Sequence, residues 1–122
     1  MKLSVILPAR NEAAALGPLL AEISQRVPEA ELIVVDDGST DGTAAIAAEL
    51  GAHVISHPYP EGNGAAVKTG ARAATGEILV FMDADGQHRP EDIPRLLAGL
   101  EEGYDMAVGA RGMQDHAGVH RG

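Results

Sequence analysis

The chain has 122 residues, of which 45% are hydrophobic and only 2% aromatic, as expected for one compact domain with a single core. A formal net charge of −9 and this scarcity of aromatic side chains argue against nucleic-acid binding, which requires a basic face or stacking surfaces. The absence of cysteine excludes disulfides, zinc–thiolate sites and thiol chemistry, and we expect a cytoplasmic location.

Short apolar runs alternate with alanine-rich stretches of helical periodicity along the chain. This alternation predicts an α/β fold of the Rossmann-like type, with three layers (α/β/α) and a mainly parallel sheet. In chain order the predicted strands are Leu3–Leu7 (closed by Pro8), Leu32–Val35, His53–His57, Ile78–Met82 and Met106–Val108. The predicted helices are Ala13–Arg26 (with Asn11 as a candidate N-cap), Thr43–Leu50, Ala65–Ala74 and Pro90–Glu102.

The first segment carries no targeting signal, and the last segment carries no regular hydrophobic pattern. Residues 1–8 have no long apolar segment or cleavage site and predict a strand rather than a signal peptide. The tail from Gly112 to Gly122 has no hydrophobic pattern, and we predict no helix or strand there. We therefore divide the chain into residues 1–111 and residues 112–122, which are either a tail or the start of a further part of a larger fold. A partial domain would expose apolar surface, which predicts homodimerisation or domain swapping.

An acidic segment, Asp83-Ala84-Asp85, follows the apolar run Ile78–Met82. Buried carboxylates are costly beside a core strand, and open α/β sheets bind ligands at the carboxyl ends of their strands. A hard divalent cation that holds a pyrophosphate explains this pair better than a solvated loop does. His88 either adds a metal ligand or caps the turn before Pro90.

Polar clusters follow the first, second and fourth predicted strands, at Pro8–Glu12, Asp36–Ser39 and Asp83–His88. In a parallel sheet these strand ends open onto one edge, so the three clusters predict a ligand site. The Asp37 carboxylate can accept hydrogen bonds from the N–H of a base or from ribose hydroxyls. Residues 39–41 have the composition of a cap for the following helix.

Other polar residues have competing explanations. The segment Gly62–Lys68 resembles a phosphate-cradling loop but lacks its Gly-Lys-Ser/Thr ending, and its glycines equally suit close approach of a helix to the sheet. Lys68 is better explained as a solvated side chain. We predict that His53 and His57 are surface residues of an edge strand rather than ligands. Arg111 suits a pyrophosphate through bidentate hydrogen bonds, although a lone arginine is usually a salt-bridge partner.

Together these motifs resemble the amino-terminal half of an inverting, GT-A type glycosyltransferase of family 2, nearest the dolichol- or polyprenyl-phosphate sugar transferases. The matching segments, which occur in the family's order, are Val5–Glu12, Val34–Thr43, Gly62–Ala65, Met82–His88 and Val108–Arg111. Such an enzyme transfers a sugar from a nucleotide-diphosphate-sugar to an acceptor. The resemblance further implies Mg²⁺ or Mn²⁺, and an acceptor such as a lipid phosphate at the cytoplasmic face of a membrane.

The resemblance also implies residue roles by position. In the donor pocket, it places Pro8, Arg10 and Glu12 around the nucleotide, Val35 and Asp37 at the base, and Asp83, Ala84 and Asp85 at the ribose, sugar and diphosphate. The implied metal ligands are Asp83 and Asp85 with Gln87 assisting, and the implied catalytic residues are Asp85 and Arg111.

Two other functions stay open, a non-catalytic nucleotide-sugar-binding module and a sugar nucleotidyltransferase. The latter normally has a glycine-rich loop after the first strand, whereas Pro8–Glu12 contains no glycine. A receiver domain is rejected, because its acidic pair follows the first strand and a lysine stands where this chain has Arg111. We expect the 122-residue chain to be the donor-binding half of its enzyme and inactive alone.

Overall fold

The computed structural model describes residues 2–82, 84 and 118–121. The strands are β1 (Leu3–Ala9), β2 (Glu31–Asp37), β3 (His53–His57), β4 (Ile78–Phe81) and β5 (Gly118–Arg121). The helices are α1 (Ala13–Arg26), α2 (Thr43–Glu49) and α3 (Asn63–Ala73). The predicted helix Pro90–Glu102 and the predicted strand Met106–Val108 lie outside the described residues.

The five strands form one sheet in the order β3-β2-β1-β4-β5. The first four strands are parallel to one another, and β5 pairs antiparallel with β4. The predicted mainly parallel sheet is therefore confirmed. Because β2 and β3 extend to one side of β1 and β4 lies on its other side, the strand order reverses at β1.

The sheet is covered on both faces, as the prediction of three layers requires. Alternate side chains of β1 point to opposite faces. On one face Val5 and Leu7 belong to a core that includes residues of α1 and Ala47 of α2. On the other face Ile6 belongs to a second core that includes Ala66 of α3. Strands buried on both faces explain the continuous apolar runs in the sequence.

Helix α3 approaches the sheet closely because it presents small residues to it. A Cβ atom at Gly70 would collide with the side chain of Ile6 and would lie 3.2 Å from Val35 Cγ2. Only glycine therefore fits at this position of the helix. The close approach that we offered as one explanation for Gly62 and Gly64 is not seen there, because a Cβ at either position would meet no described atom within 4 Å.

Strand β1 continues through Pro8, although we predicted that the proline closes it. Pro8 pairs with Val35 of β2, whereas pairing with β4 ends at Ile6. Main-chain N–H and C=O groups of residues two apart point to the same side of a strand. The Ile6 carbonyl accepts from Met82 N–H (3.0 Å), so the main-chain groups of Ile6, and those of Pro8 two residues later, face β4. The pairing with β4 ends at Ile6, and the missing N–H of Pro8 therefore costs no hydrogen bond of the described sheet.

The prediction that the tail contains no strand was wrong for Gly118–Arg121. This strand pairs with β4, with Val119 opposite Val80 and Arg121 opposite Ile78. Four residues with a single β-branched member show no hydrophobic alternation, so their sequence gives no strand signal. The strand is specified by main-chain pairing with β4 rather than by its own pattern.

Within the described residues, no helix combines the length and the apolar character that a membrane span requires.

Replacing Gly70 with alanine should lower the free energy of unfolding by about 1–3 kcal/mol, because the added methyl group overpacks the contact with the buried Ile6 side chain. Gly64→Ala in the same helix is the matched control. A Cβ there meets no described atom within 4 Å, and the change should stay within about 1 kcal/mol. Denaturant titration compares the two, and equal stabilities would contradict the close approach at Gly70.

Candidate donor-binding site

The turn after β1 is joined to the turn after β2 by hydrogen bonds in both directions. Asn11 N–H donates to Ser39 Oγ (2.9 Å), and Thr40 N–H donates to Asn11 Oδ1 (2.8 Å). Asn11 has a φ of +53°, in the left-handed region that asparagine tolerates better than most residues. The first two polar clusters of the sequence therefore meet at one edge of the sheet, as their positions predicted.

The start of α1 is stabilised by Asp41 and Thr43 rather than by Asn11, so the candidate N-cap was wrong. Glu12 occupies the N-cap position without a side-chain capping bond. Glu12 N–H donates to Thr43 Oγ1 (3.1 Å), and Ala13 N–H donates to Asp41 Oδ2 (3.3 Å). Asp41 also accepts from the Thr43 hydroxyl and from Thr43 N–H. One carboxylate thus serves the first turns of both α1 and α2.

Asp36 has a structural role at the end of β2. Its Oδ1 accepts from Ser39 N–H (3.0 Å), and its Oδ2 accepts from Ser56 Oγ of β3 (3.2 Å). These contacts hold the turn after β2 and tie it to the neighbouring strand. Asp36 is buried, so both donors offset the cost of removing its charge from water.

Asp37 binds the loop that leads from β3 into α3. Its Oδ1 accepts from Glu61 N–H (2.9 Å) and lies 2.8 Å from His57 Nδ1, while its Oδ2 accepts from Gly62 N–H (2.9 Å). Burial raises the pKa of Asp37, but hydrogen bonds from Glu61, His57 and Gly62 and the attraction of His57 outweigh it and leave the pKa below its ordinary value. Asp37 is therefore ionised at neutral pH and acts only as an acceptor.

His57 is not the surface residue that we predicted. Its side chain is only 9% exposed and lies between Asp37 and Thr69 of α3, with its Nε2 2.9 Å from Thr69 Oγ1. Because an ionised carboxylate cannot donate, Nδ1 carries the proton toward Asp37. Sequence reasoning missed this contact because it depends on the register of β2 and β3, which pairs His57 with Asp37 and leaves no local signal, whereas His53 is exposed as predicted.

Gly38 lets this loop pack directly on the end of β2. It has a φ of +72°, and a Cβ there would lie 2.6 Å from the Tyr59 carbonyl carbon and 2.5 Å from Pro60 N. Any other residue would be strained by its backbone conformation and would push the loop away. The Tyr59 side chain is 64% exposed. Gly38 therefore fixes the distance between Asp37 and the main chain that donates to it.

The structure brings some of the predicted site residues together at the carboxyl edge of the sheet. Pro8 is buried at the end of β1, Arg10 is exposed just beyond it, and Glu12 is half-buried. Asp37 lies at the end of the neighbouring strand. Val35 has no exposed surface and belongs to the core beside α3, so its side chain is not available to a ligand.

The strand order reverses at β1, between β2 and β4. Ligands of open α/β sheets bind at such a reversal. Ala84, two residues after Met82, is 1% exposed. The residues assigned to the metal and to catalysis, together with the alternative ligand, lie outside the described residues: Asp83, Asp85, Gln87, His88 and Arg111. Within the described residues, no three histidine or acidic side chains form a group that could hold a metal ion.

The sequence matches the family described as Glycosyl transferase family 2 over residues 4–121. The chain belongs to this family. It is 42% identical over 117 residues to an uncharacterized glycosyltransferase of Mycobacterium tuberculosis, covering 96% of this chain and 51% of the relative. It is 39% identical over 116 residues to the polyprenol monophosphomannose synthase of Mycolicibacterium smegmatis, covering 88% and 44% respectively. The chain spans about half the length of the curated relatives it matches.

Solved glycosyltransferase structures share the fold. Glucosyl-3-phosphoglycerate synthase from Mycobacterium tuberculosis in complex with uridine diphosphate superposes with a TM-score of 0.82 and 28% identity, covering 98% of this chain and 56% of that one. The same synthase in complex with Mn²⁺ and uridine-diphosphate-glucose gives a TM-score of 0.75 and 36% identity, covering 88% and 42%. The Rossmann-like fold class of GT-A glycosyltransferases is therefore confirmed.

Asp37→Asn should lower the free energy of unfolding at neutral pH by about 1–3 kcal/mol, because two main-chain donors lose an ionised partner. A lowered folded-state pKa contributes stability above the unfolded pKa of about 4, and this stability is lost as the pH falls through the folded value. The difference between wild type and variant should therefore shrink below about pH 4.

Denaturant titration between neutral and acid pH measures this difference. Glu61→Gln is the control, since it keeps the main-chain N–H that Asp37 accepts, and it should retain the acid dependence of the wild type. A wild-type-to-Asp37→Asn difference that stays constant with pH would contradict the assignment.

Proposed function

We propose that this chain binds a nucleotide-diphosphate-sugar and forms the donor-binding part of an enzyme that transfers the sugar to a phosphate-bearing acceptor. The observation that carries the proposal lies at the carboxyl edge of the sheet. There the turns after β1 and β2 are hydrogen-bonded to each other beside an ionised Asp37. Family membership supports the transferase reaction, and the synthase complex with uridine-diphosphate-glucose supports the donor class.

In this proposal the described residues bind the nucleoside. Pro8 and Glu12 line the nucleotide pocket from the end of β1, and Asp37 accepts a hydrogen bond from the base. The exposed guanidinium of Arg10 provides a planar cationic surface against the base or the phosphates. Val35 contributes through its main chain, because its side chain is buried.

The divalent cation belongs to the proposal as well. Carboxylate and amide oxygens are ligands that Mg²⁺ and Mn²⁺ prefer, so Asp83 and Asp85 with Gln87 form a donor set of the right chemistry. A bound cation would offset the charge that develops on the diphosphate leaving group. Mn²⁺ is present in the related synthase complex with uridine-diphosphate-glucose, which supports this assignment.

The acceptor is proposed to carry a phosphate. Among the relatives, one is a polyprenol monophosphomannose synthase and another an undecaprenyl-phosphate mannosyltransferase, whereas the solved synthase was crystallised with phosphoglyceric acid. A phosphate oxygen is already anionic and can attack the sugar without a general base, while a hydroxyl acceptor needs one. Arg111 is the residue we assign to the diphosphate or to the acceptor phosphate.

Calorimetric titration with UDP-, GDP- and dTDP-linked sugars tests donor binding. We expect at least one donor to bind in the presence of Mn²⁺, and we expect this binding to be lost when EDTA is added. Asp85→Ala should weaken binding by more than about tenfold, because it removes a metal ligand. Asp92→Ala removes the same charge outside the proposed ligand set and should bind as the wild type does. Failure of every donor to bind would overturn the proposal for this chain.

A transfer assay with a labelled donor sugar tests the division of labour. We expect the 122-residue chain to bind the donor without transferring the sugar to undecaprenyl phosphate or to 3-phosphoglycerate. The reason is that acceptor contacts are assigned to the half of the relatives that the chain does not match. Transfer to either acceptor would contradict this expectation and would identify the acceptor.

A further inference from the structure

The Asp37 carboxylate has little acceptor capacity left for a ligand. An ionised carboxylate offers about four lone-pair positions, two on each oxygen. Within the described part of the chain, His57 Nδ1 and Glu61 N–H fill the positions on Oδ1, and Gly62 N–H fills one on Oδ2. One position, on Oδ2, is therefore left for an incoming hydrogen-bond donor.

The position of His57 is fixed by contacts that keep its Nδ1 hydrogen-bonded to Asp37 Oδ1. Its Nδ1 lies 2.8 Å from Asp37 Oδ1, and its Nε2 lies 2.9 Å from Thr69 Oγ1. The pairing of β2 with β3 places His57 opposite Asp37, and Thr69 belongs to helix α3. Glu61 Oε2 also approaches Nδ1, but at 3.9 Å it lies beyond hydrogen-bond distance, so Asp37 at 2.8 Å is the closer partner of the nearly buried imidazole.

We infer that His57 is a positioning residue that restricts Asp37 to one ligand hydrogen bond, and that the site thereby prefers uracil or thymine to guanine. The inference rests on the proposed function, in which Asp37 faces the nucleobase. Uracil and thymine present a single ring N–H between two carbonyl groups. Guanine presents a ring N–H beside an amino group and needs one acceptor position on each carboxylate oxygen.

The remaining acceptor position satisfies the single ring N–H of uracil or thymine, but it leaves one of the two guanine donors without a partner. A hydrogen-bond donor that is removed from water without gaining a partner is unfavourable. The lost hydrogen bond corresponds to a preference of about tenfold for uridine or thymidine diphosphate over guanosine diphosphate. The acceptor capacity of Asp37, rather than the shape of the pocket alone, sets this preference.

Two substitutions of His57 separate its contacts. In His57→Asn the amide N–H can take the place of Nδ1–H and still donate to Asp37. In His57→Gln the longer side chain places its amide near the position of Nε2, which keeps the contact with Thr69 but frees Oδ1. We expect His57→Asn to retain the wild-type preference. We expect His57→Gln to bind guanosine diphosphate more tightly, reducing the preference by about tenfold.

The experiment titrates wild type and both variants with UDP, dTDP and GDP in the presence of Mn²⁺, after thermal unfolding has shown that each variant is folded. Ser56→Ala is the matched control, because Ser56 precedes His57 on β3 and donates to Asp36 instead of Asp37. It should leave the ratio of affinities unchanged. A purely structural role for His57 would lower all three affinities together.

The outcomes distinguish failure of the proposed function from failure of the inference about the acceptor capacity of Asp37. If no nucleoside diphosphate binds the wild type, the proposed function itself fails. If binding occurs without a preference, or with a preference for guanine, only the inference about acceptor capacity fails. If the preference exists but His57→Gln retains it, His57 does not set it. A reduced ratio in His57→Gln with the wild-type ratio in His57→Asn supports the inference.

Discussion

Two adjacent carboxylates, buried at the end of β2, determine how the turns at the carboxyl edge of the sheet are arranged. A buried carboxylate without donors is strongly destabilised, so folding has to bring N–H and O–H groups to both. Asp36 is hydrogen-bonded to the turn after β2 and to a serine of β3, while Asp37 is hydrogen-bonded to His57 and to the main chain before α3. The loops around the candidate site are therefore positioned by charge rather than by an apolar core of their own.

Much of the fold could be predicted from the sequence, because its elements bury continuous or periodic apolar side chains. Helix α1 and strand β3 have the predicted bounds, and the other described strands and helices of the first 82 residues differ from prediction by a few residues at their ends. The meeting of the first two polar clusters was also predictable, since parallel strands bring their carboxyl ends to one edge. These features depend on local pattern and on general rules of sheet topology.

The features that could not be predicted depend on partners that are distant in sequence. The start of α1 is stabilised by Asp41, which lies 28 residues beyond the first residue of that helix. His57 looks like an exposed residue of an edge strand until the register of β2 and β3 places it beside Asp37. Strand β5 has no pattern of its own and depends on pairing with β4. In each case a specific hydrogen bond, which leaves no periodic signal, decides the structure.

A chain with a formal net charge of −9 needs local positive charge to bind the anionic donor that we propose. The pKa values of Asp37 and Asp41 are lowered because hydrogen-bond donors surround both carboxylates, and these donors also offset their negative potential. A hydrogen-bonded carboxylate still offers no attraction to a diphosphate. Attraction then has to come from Arg10, or from a cation held by the proposed pair Asp83 and Asp85. Asp36, Asp37 and Asp41 thus hold the turns of the site together, whereas the proposed metal ligands Asp83 and Asp85 would bring positive charge to it.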